Sequence, residues 1–374
     1  MQVPLLDLTA QYRTIREPVR RAMDAICDAQ ALVLGEATVR FEAKLAEYCK
    51  TKHAVGLSSG TDALIAAMMA LESPVGPGDE VIVPSFTFFA TAGCVSRLGA
   101  TPVFVDIDPK TFNLDVQKVA DAVTPRTKAI MPVHLFGQCA DTAGCNEIAC
   151  DPKRGAPIWV IEDAAQAIGA TRDGRPACSQ GFCGALSFYP TKNLGAFGDA
   201  GAVCGDNDAF FERLKKVRVH GSGHTYYHET VGGNFRIDAL QAAVLDVKLD
   251  YLPDWHAGRR RNAKIYDDIL TDSPVVVPHI EAGNESVYNQ YVVRVKNRDA
   301  VRKALADEQI GSGVYYPLGL HMQQCFADLG YGEGDLPETE KACAEVLALP
   351  IYPELSEEQV THAAKRLREI AESV

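Results

Sequence analysis

Short apolar runs alternate with stretches of helical pattern between residues 55 and 203, and this alternation restricts the fold more than any other feature. The apolar runs cover residues 81–83, 101–105, 129–132 and 158–161. Such alternation is typical of βαβ units, in which consecutive strands lie parallel in one sheet and helices cover its faces. The sequence therefore predicts an α/β fold whose large domain has a mainly parallel sheet flanked by helices.

The rest of the chain predicts a second, smaller unit at the C-terminal end. Helical patterns cover residues 12–29, 39–49, 236–270 (interrupted at Pro253), 301–309 and 357–371, and a strand-like alternation covers residues 291–295. A chain of 374 residues is longer than one ordinary core requires. We therefore predict a large domain at residues 1–245 and a small α+β domain at residues 246–374.

One lysine, Lys192, lies in the glycine-rich stretch 185–201. Apolar residues precede it, Pro190 restricts the turn before it, and the glycines let backbone approach a ligand closely. A lysine drawn into such a pocket loses hydration, which lowers its pKa and suits it to Schiff-base chemistry. A solvated surface lysine is the ordinary alternative. Ser187, which precedes Lys192 on the same stretch, can donate to a phosphate.

Two acids, Glu162 and Asp163, follow the apolar run at 159–161. Carboxylates at the end of a buried strand lie where α/β sheets open their ligand crevice. A lysine-bound pyridoxal phosphate (PLP) needs an acid facing its pyridine nitrogen, and either side chain can supply that acid. The alternative is that both acids cap a helix beginning at Ala164.

A candidate phosphate site lies in the stretch 56–64, where glycine and serine residues precede an apolar helical run at 63–71. Free N–H groups and the positive end of a helix can hold an anion there. Glycine and serine also occur as plain helix caps, which is the alternative for this stretch.

Taken together, these stretches resemble the sugar aminotransferases of the DegT/StrS family, which are PLP enzymes of the aspartate aminotransferase (type I) fold. The resemblance covers nearly the whole chain, and the matching segments are SGTDAL at 59–64, PSFTF at 84–88, VDID at 105–108, PVHLFG at 132–137, EDAAQ at 162–166, SFYPTKNLG at 187–195, GNFR at 233–236 and LQAA at 240–243.

The resemblance implies a role for each matching residue. Lys192 would hold PLP as a Schiff base and act as general base and acid, and Asp163, in preference to Glu162, would pair with the pyridine nitrogen. Gln166 would lie near the phenolic oxygen of PLP and Phe88 would stack on its ring, with a structural core phenylalanine as the alternative. The implied phosphate contacts are Gly60, Thr61, Ser187 and, from the second chain of a homodimer with shared sites, Asn234.

Other residues match segments that lie near the sugar or can meet a nucleotide diphosphate. The candidates for sugar contacts are His134, Tyr315, Tyr316 and His321, and those for the diphosphate are Arg218, His220, Arg236 and residues 259–261. A satisfied structural histidine and a solvated arginine are the alternatives for these two groups. For Asn234 the alternative is a turn or cap before a helix starting at Arg236.

The resemblance implies a reaction in two halves. An amino acid, L-glutamate by resemblance, would convert PLP to pyridoxamine phosphate, and a nucleotide-linked keto-sugar would then take the amine and leave as an amino-sugar. One alternative is a sugar dehydratase relative, which carries histidine at the lysine position and is disfavoured by Lys192. A second is a non-catalytic sensor, disfavoured because no helix-turn-helix or basic segment is appended. A cyclitol ketone as acceptor stays open.

The charge balance limits the partners. With 37 basic and 49 acidic residues the net charge is −12, which argues against a nucleic-acid partner. No apolar run is long enough for a membrane span or a signal peptide, so we expect a cytoplasmic protein. The eleven cysteines contain no C-x-x-C pair and are expected to be reduced and buried. Cys139, Cys145 and Cys150 lack histidines at metal-site spacing, so no metal is expected.

Overall fold

The computed structural model describes residues 1–151, 157–224 and 226–373. Residues 152–156, 225 and 374, which belong to the predicted domain ranges, lie outside the described residues. The α-helices are α1 Leu8–Ala29, α2 Glu36–Cys49, α3 Gly60–Met69, α4 Ala90–Arg97, α5 Val116–Ala122, α6 Thr142–Ala149, α7 Asp208–Val217, α8 Ala239–Leu249, α9 Leu252–Leu270, α10 Arg298–Asp307, α11 Pro337–Glu345 and α12 Glu357–Ser373. The strands are β1 His53–Leu57, β2 Glu80–Pro84, β3 Thr101–Val105, β4 Thr127–Ile130, β5 Trp159–Asp163, β6 Thr171–Arg172, β7 Arg175–Pro176, β8 Cys183–Ser187, β9 Gly201–Gly205, β10 Ser222–His224, β11 Tyr227–His228, β12 Asn284–Glu285, β13 Tyr291–Arg294 and β14 Val346–Leu349.

Seven of the described strands form one sheet in the order β1-β9-β8-β5-β4-β2-β3. The pairings from β3 through β2, β4 and β5 to β8 are parallel, and β9 runs antiparallel to both of its neighbours. The strand interiors are apolar on both faces, as expected when helices cover both sides of a parallel sheet. The predicted mainly parallel sheet is therefore confirmed.

The parallel order places one end of several strands at a single edge of the sheet. β1, β2, β3, β4, β5 and β8 all end there, and each is followed by one of the segments that the sequence marked as functional. Because parallel strands share a direction, their carboxyl ends meet at this edge, where α/β sheets bind ligands. The topology therefore gathers segments that lie far apart in sequence.

A second packing unit lies toward the C-terminus. Its antiparallel pair β13–β14 and helices α9, α10 and α12 surround one apolar cluster. The predicted boundary between residues 245 and 246 falls inside α8, whose apolar side chains pack in a cluster of the large sheet. The first part of α9 packs there as well, whereas Ala263, Tyr266 and Leu270 belong to the second unit. The domain limits remain a prediction.

Helix boundaries differ from the expected ones where polar residues take part in the first turn. The helix expected from 63 begins at Gly60, because the Ser59 hydroxyl accepts from the Asp62 N–H and caps the helix three residues earlier. The helix expected from 236 begins at Ala239, since Arg236 is held in a β-bridge with Leu57. Pro253, expected to interrupt this helix, instead lies in the first turn of α9.

The cysteines are all free thiols, and eight of them are buried, in agreement with the expected reduced state. Among the helices of the described ranges, none is long and apolar enough to span a membrane. The described residues also contain no cluster of three or more ligands suited to a metal ion.

Candidate active site

Lys192 lies on a tight loop between β8 and β9. Its backbone N–H donates to the Tyr189 carbonyl at 2.8 Å, and the loop passes so close to itself that a Cβ atom on Gly195 would lie 2.2 Å from the Pro190 oxygen. Only glycine fits this approach. Burial lowers the pKa of the Lys192 ammonium to about 8, and the nearby Asp163 charge opposes this shift in part. A lysine in this state exchanges its proton near neutral pH.

Lys248, a buried residue that the sequence reasoning missed, holds this loop. The ammonium of Lys248 donates to the Gly195 carbonyl at 2.5 Å and lies near the rings of Phe197 and Trp255. Lys248 is 3% exposed, and burial lowers its pKa to about 8. The signal was present in the sequence, because Lys248 occupies the apolar face of α8 at helical spacing from Val244 and Leu245.

Asn193 supports the same loop from the other side. Its amide donates to the Val287 carbonyl at 3.0 Å and accepts from the side chain of Asn289 at 2.9 Å. It is buried, so these contacts fix the residue that directly follows Lys192. No pattern in the sequence distinguishes such an amide from a solvated one.

Asp163 ends β5 with its carboxylate turned toward the lysine loop. The Thr91 hydroxyl donates to Oδ2 at 2.8 Å and the Ala165 N–H donates to Oδ1 at 3.2 Å. Burial raises the pKa of Asp163, while these two donors and then Lys192 act against the rise. Thr91, which the sequence reasoning also missed, thus orients the acid.

Glu162 is occupied elsewhere. Its carboxylate accepts from the backbone N–H groups of Cys178, Gln180 and Gly181 at 2.6–2.8 Å and lies 2.7 Å from the His134 ring. Successive side chains of a strand point to opposite faces, so Glu162 and Asp163 cannot both face the lysine. No helix begins at Ala164, where the chain forms a turn, so the capping alternative for the two acids is wrong.

His134 is not placed to contact a sugar. The Ala140 N–H donates to Nδ1 at 3.0 Å, so Nε2 carries the hydrogen and donates to Glu162. The side chain is fully buried. The expected substrate role is therefore corrected: His134 links Glu162 to the segment after β4.

His321 needs the same correction. Its Nδ1 lies 2.7 Å from the Ser85 hydroxyl, its Nε2 lies 3.3 Å from Glu340, and it is 1% exposed. Both ring nitrogens have partners within the protein. His321 therefore anchors the segment after β2, which leads from Ser85 to Phe88, and has no nitrogen left for a substrate.

The start of α3 and the end of β8 form a cradle. A Cβ atom on Gly60 would lie 2.6 Å from Ser187 Cβ and 3.0 Å from its hydroxyl, so only glycine permits this contact. The first N–H groups of a helix have no partner within it, and Gly60 and Thr61 are the first two residues of α3, which meets Ser187 at Gly60. This donor set suits a phosphate.

An aromatic group lies next to this cradle along the sheet edge. Phe88 is 58% exposed, which excludes the core alternative, and its ring centroid lies 6.4 Å from that of Tyr316. The Gln166 amide donates to the Tyr316 hydroxyl at 3.1 Å and accepts from the Phe136 N–H at 2.6 Å. Tyr315 packs beside Tyr316, with centroids 6.1 Å apart. Both tyrosines are partly buried.

Most of the arginines proposed for a diphosphate are structural. Arg218 is buried and pairs with Glu42 at 2.5 Å, and Arg259 is buried with its Nη1 donating to the carbonyls of residues 288, 289 and 351. Arg260 pairs with Glu285 at 3.0 Å, and Arg261 binds Asn262 and the Pro353 carbonyl. His220 and Arg236 remain available.

Asn234 lies at the exposed edge of the same region. It forms a β-bridge with Val219, and the Ser58 N–H donates to the neighbouring Phe235 carbonyl at 3.0 Å. Its side chain is exposed and takes part in no hydrogen bond among the described residues. The helix-cap alternative fails, because α8 starts at Ala239 with Asp238 at the cap position.

These residues fit PLP. Lys192, with its lowered pKa, can react with the aldehyde of PLP, and the buried Asp163 carboxylate can face the pyridine nitrogen. The exposed Phe88 ring can cover the planar cofactor ring, and the helix start at Gly60 next to the Ser187 hydroxyl can hold the phosphate. Of the predicted site residues, Lys192, Asp163, Gln166, Phe88, Gly60, Thr61 and Ser187 line the same sheet edge, whereas His134 and His321 lie behind it.

Known proteins of similar sequence and structure support this interpretation. A pleiotropic regulatory protein of Geobacillus stearothermophilus is 46% identical over 99% of this chain and 98% of its own. A UDP-N-acetyl-3-dehydro-alpha-D-glucosamine 3-aminotransferase of Acidithiobacillus ferrooxidans is 42% identical over 98% of this chain and 97% of its own. The structure of S. venezuelae DesV with a ketimine intermediate has a TM-score of 0.95 and 41% identity and covers 100% of this chain and 99% of its own.

The cofactor is supported by a further neighbour. Spr1654 of Streptococcus pneumoniae, solved in a PLP form, has a TM-score of 0.89 and 26% identity, covers 96% of each chain and was also solved in a PMP form. The sequence profile of the DegT/DnrJ/EryC1/StrS aminotransferase family matches residues 13–368. The predicted fold, cofactor and enzyme class, a sugar aminotransferase, are confirmed. The chain thus belongs to the DegT/DnrJ/EryC1/StrS aminotransferase family, as its sequence predicts.

Proposed function

We propose that this protein transfers an amino group from an amino acid, L-glutamate by family resemblance, to the ketone carbon of a nucleotide-linked sugar. The observation that carries the proposal is Lys192, an amine with a pKa near 8 placed on a rigid loop beside a buried carboxylate. A sensor needs no amine with a pKa tuned to proton transfer. The product would be an amino-sugar for glycan or natural-product biosynthesis.

The residues that would hold PLP follow from their positions. Lys192 would bind it covalently, Asp163 would face the pyridine nitrogen, Phe88 would cover the ring, and Gly60, Thr61 and Ser187 would bind the phosphate. When bound, PLP supplies a positively charged ring that withdraws electrons from the carbon being deprotonated. Gln166, already positioned by the Phe136 N–H, would lie near the phenolic oxygen.

The chain's own groups would handle the proton. With a pKa near 8, the Lys192 amine at Nζ accepts a proton from the amino-acid carbon and returns one on the other side of the transfer. Burial raises the pKa of Asp163, and the Thr91 hydroxyl, the Ala165 N–H and Lys192 oppose that rise; a protonated ring nitrogen facing the carboxyl group would add a further charge that favours the ionised form. A carboxylate there holds the ring nitrogen protonated.

The acceptor class rests on the relatives. The Acidithiobacillus relative is named for a UDP-linked 3-keto-sugar, and other relatives are named as dTDP-sugar transaminases. Among the described residues, the side chains of Arg236 and His220 have no carboxylate partner, which leaves them as the basic candidates for the diphosphate. Tyr315 and Tyr316 would contact the sugar, since they are partly exposed beside Phe88.

The test is turnover by the purified PLP-loaded protein. It should lose the visible absorbance of lysine-bound PLP on addition of L-glutamate, and then convert one member of a panel of nucleotide keto-sugars to a product carrying an amine, read by mass. A cyclitol ketone belongs in the panel. Absence of any amine transfer, with glutamate-induced spectral change also absent, would contradict the proposal.

A non-catalytic sensor is the second candidate. The Geobacillus relative is named a regulatory protein, and a Saccharopolyspora erythraea relative, 42% identical over 369 residues, is named a sensory transduction protein. The intact lysine, acid and phosphate cradle of this chain favour turnover. The experiment above separates the two, since a sensor binds PLP without consuming an amino acid. The dehydratase alternative is disfavoured because the residue at the lysine position is Lys192.

The active unit would be a homodimer with shared sites. The Asn234 side chain is exposed and makes no hydrogen bond to any residue that the structure describes, and it lies close in sequence to the exposed apolar residues Tyr226, Tyr227 and Val231. Such surface is typical of an interface with a second chain. Asn234 would complete the phosphate cradle of the partner.

Mixed dimers test this sharing. Lys192→Ala and Asn234→Ala chains should each be poorly active alone, but one site of a mixed dimer would carry both lesions and the other none. Exchange of subunits should then restore about a quarter of wild-type activity. If exchange is verified and no activity returns, Asn234 serves its own chain.

The protein would act in the cytoplasm. All eleven of its cysteines are free, which suits a reducing compartment. Fractionation of the source cells would test this, and recovery in a secreted fraction would contradict it.

A further inference from the structure

A cavity that none of the predicted site residues lines lies between the two packing units. It has a volume of about 370 Å³ and opens between the loop after β3 and the strand β13 with its neighbours. Phe112 and Val292 line it and belong to the apolar cluster that also contains Phe86 and Tyr316. The centroids of Phe86 and Phe112 are 5.6 Å apart and those of Phe86 and Tyr316 are 6.0 Å apart. A layer of aromatic rings therefore separates this cavity from the active site.

The cavity has apolar walls, and four basic side chains, three of them exposed lysines, lie around it. Lys110 follows β3 of the large sheet, Arg294 and Lys296 lie on β13 and just after it in the second unit, and Lys341 lies on α11. Within the part of the chain that the structure describes, none of the three lysines pairs with a carboxylate. The chain has a net charge of −12, so these three ammonium groups make the surface around the cavity locally positive in an otherwise acidic protein.

Arg294 provides a fixed donor in the wall. Its Nε pairs with Glu345 at 2.8 Å, its Nη1 donates to the Pro109 carbonyl at 2.9 Å, and its guanidinium lies 5.8 Å from the centre of the Phe112 ring. Its Nη2 is buried and has no partner among the described residues. The contacts of Nε and Nη1 fix the guanidinium, whose charge adds to the positive potential of the cavity wall.

The acids near the cavity are engaged elsewhere. Glu345 is the only carboxylate among the lining residues and is held by Arg294. Asp108 accepts from the backbone N–H groups of residues 110 and 111, and His279, another lining residue, pairs with Glu281 at 3.1 Å. The positive charge of the three lysines is therefore not cancelled locally.

We propose that this cavity binds a small multivalent phosphate anion of the diphosphate class. Its volume falls in the range of small-ligand sites, which lie preferentially between domains. Lysine ammonium groups bind phosphate as point charges, and three of them match several phosphate oxygens better than a single carboxylate. Because Lys110 follows a strand of the large sheet and Lys296 follows β13 of the second unit, the anion joins the two.

The experiment is a calorimetric titration of the PLP-loaded protein with inorganic pyrophosphate at low salt, since bound PLP occupies the catalytic phosphate cradle. We expect saturable binding that weakens as salt is raised. The triple variant Lys110→Gln, Lys296→Gln, Lys341→Gln should bind about a hundredfold more weakly, because each lysine contributes one nearby unit charge.

A charge-matched control removes three lysines outside the cavity. Lys215→Gln, Lys264→Gln and Lys303→Gln affect exposed side chains that pair within their own helices. This control should bind like wild type, and pyrophosphate should raise the melting temperature of wild type and control but not of the cavity variant. Equal binding by the cavity variant and wild type, equal losses in both variants, or no binding by wild type would overturn the proposal. Equally tight binding of citrate would overturn the phosphate assignment. These outcomes do not depend on amine transfer, so they leave the proposed function separately testable.

Discussion

Replacing Lys192 with methionine should stabilise the cofactor-free protein at neutral pH. Burial lowers the pKa of the Lys192 ammonium from 10.5 to about 8, and the charge of Asp163 only partly opposes that shift. Folding at pH 7 therefore places a charged ammonium in a site that favours the neutral amine. Methionine has a similar length and no charge, so the variant avoids this unfavourable step.

The size of the effect follows from the two pKa values. Between pH 8 and pH 10.5 the unfolded state binds more protons than the folded state, so stability rises with pH across that window. Below pH 8 both states hold the proton and the full penalty is present. The difference of 10.5 − 8 = 2.5 units corresponds to about 3 kcal/mol at ~1.36 kcal/mol per unit. The advantage of Lys192→Met is thus about 3 kcal/mol at pH 7 and about 1 kcal/mol at pH 10.

Urea denaturation of the cofactor-free proteins at pH 7, 8.5 and 10, at one fixed protein concentration, measures this difference. Lys192→Arg is the matched control, because its guanidinium stays charged throughout the range. That variant should be no more stable than wild type at pH 7. Its free energy of unfolding should also lack the rise between pH 7 and pH 10 that wild type shows, because the guanidinium keeps its charge. If Lys192→Met and wild type unfold at the same urea concentration at pH 7, or differ equally at every pH, the lysine is not desolvated and the reasoning fails.

Three further changes test other parts of the site. Asp163→Asn should still bind PLP, as measured by absorbance, but should lower kcat about a hundredfold or more, because a neutral amide cannot hold the ring nitrogen protonated. If Asp163→Asn has a mild effect and Glu162→Gln is the damaging change, Glu162 and not Asp163 faces the ring nitrogen. Lys248→Met removes the donor to the Gly195 carbonyl but also removes a buried ammonium whose pKa is lowered to about 8, so in urea it should stabilise the protein by about 1–3 kcal/mol less than Lys192→Met does; an equal gain would mean that this contact is not made. Phe88→Ala should change the free energy of unfolding by less than about 0.5 kcal/mol, since the ring is exposed, and weaken PLP binding about tenfold in a spectroscopic titration; a large loss of stability would restore the core alternative.

The alternation of apolar runs and the order of the motifs determined much of this protein from sequence alone. Apolar runs such as 81–83 become strands because they can only be buried in a sheet covered by helices, and parallel strands bring their carboxyl ends together. Lys192, Asp163 and Gly60 could therefore be assigned to one site, since each follows or ends such a strand. Their local chemistry, an amine, an acid and a helix start, is visible in the sequence.

The tertiary structure decided which of several chemically similar residues face the site. Glu162 and Asp163 are neighbours in sequence, yet the alternation of side chains along β5 turns one toward three backbone N–H groups and leaves the other near the lysine. His134 binds the buried Glu162 and Arg218 binds the partly buried Glu42, partners that lie 28 and 176 residues away in sequence and that no local pattern reveals. Burial and hydrogen-bond partners depend on long-range packing, because a polar side chain taken out of water must bind whatever the fold places beside it.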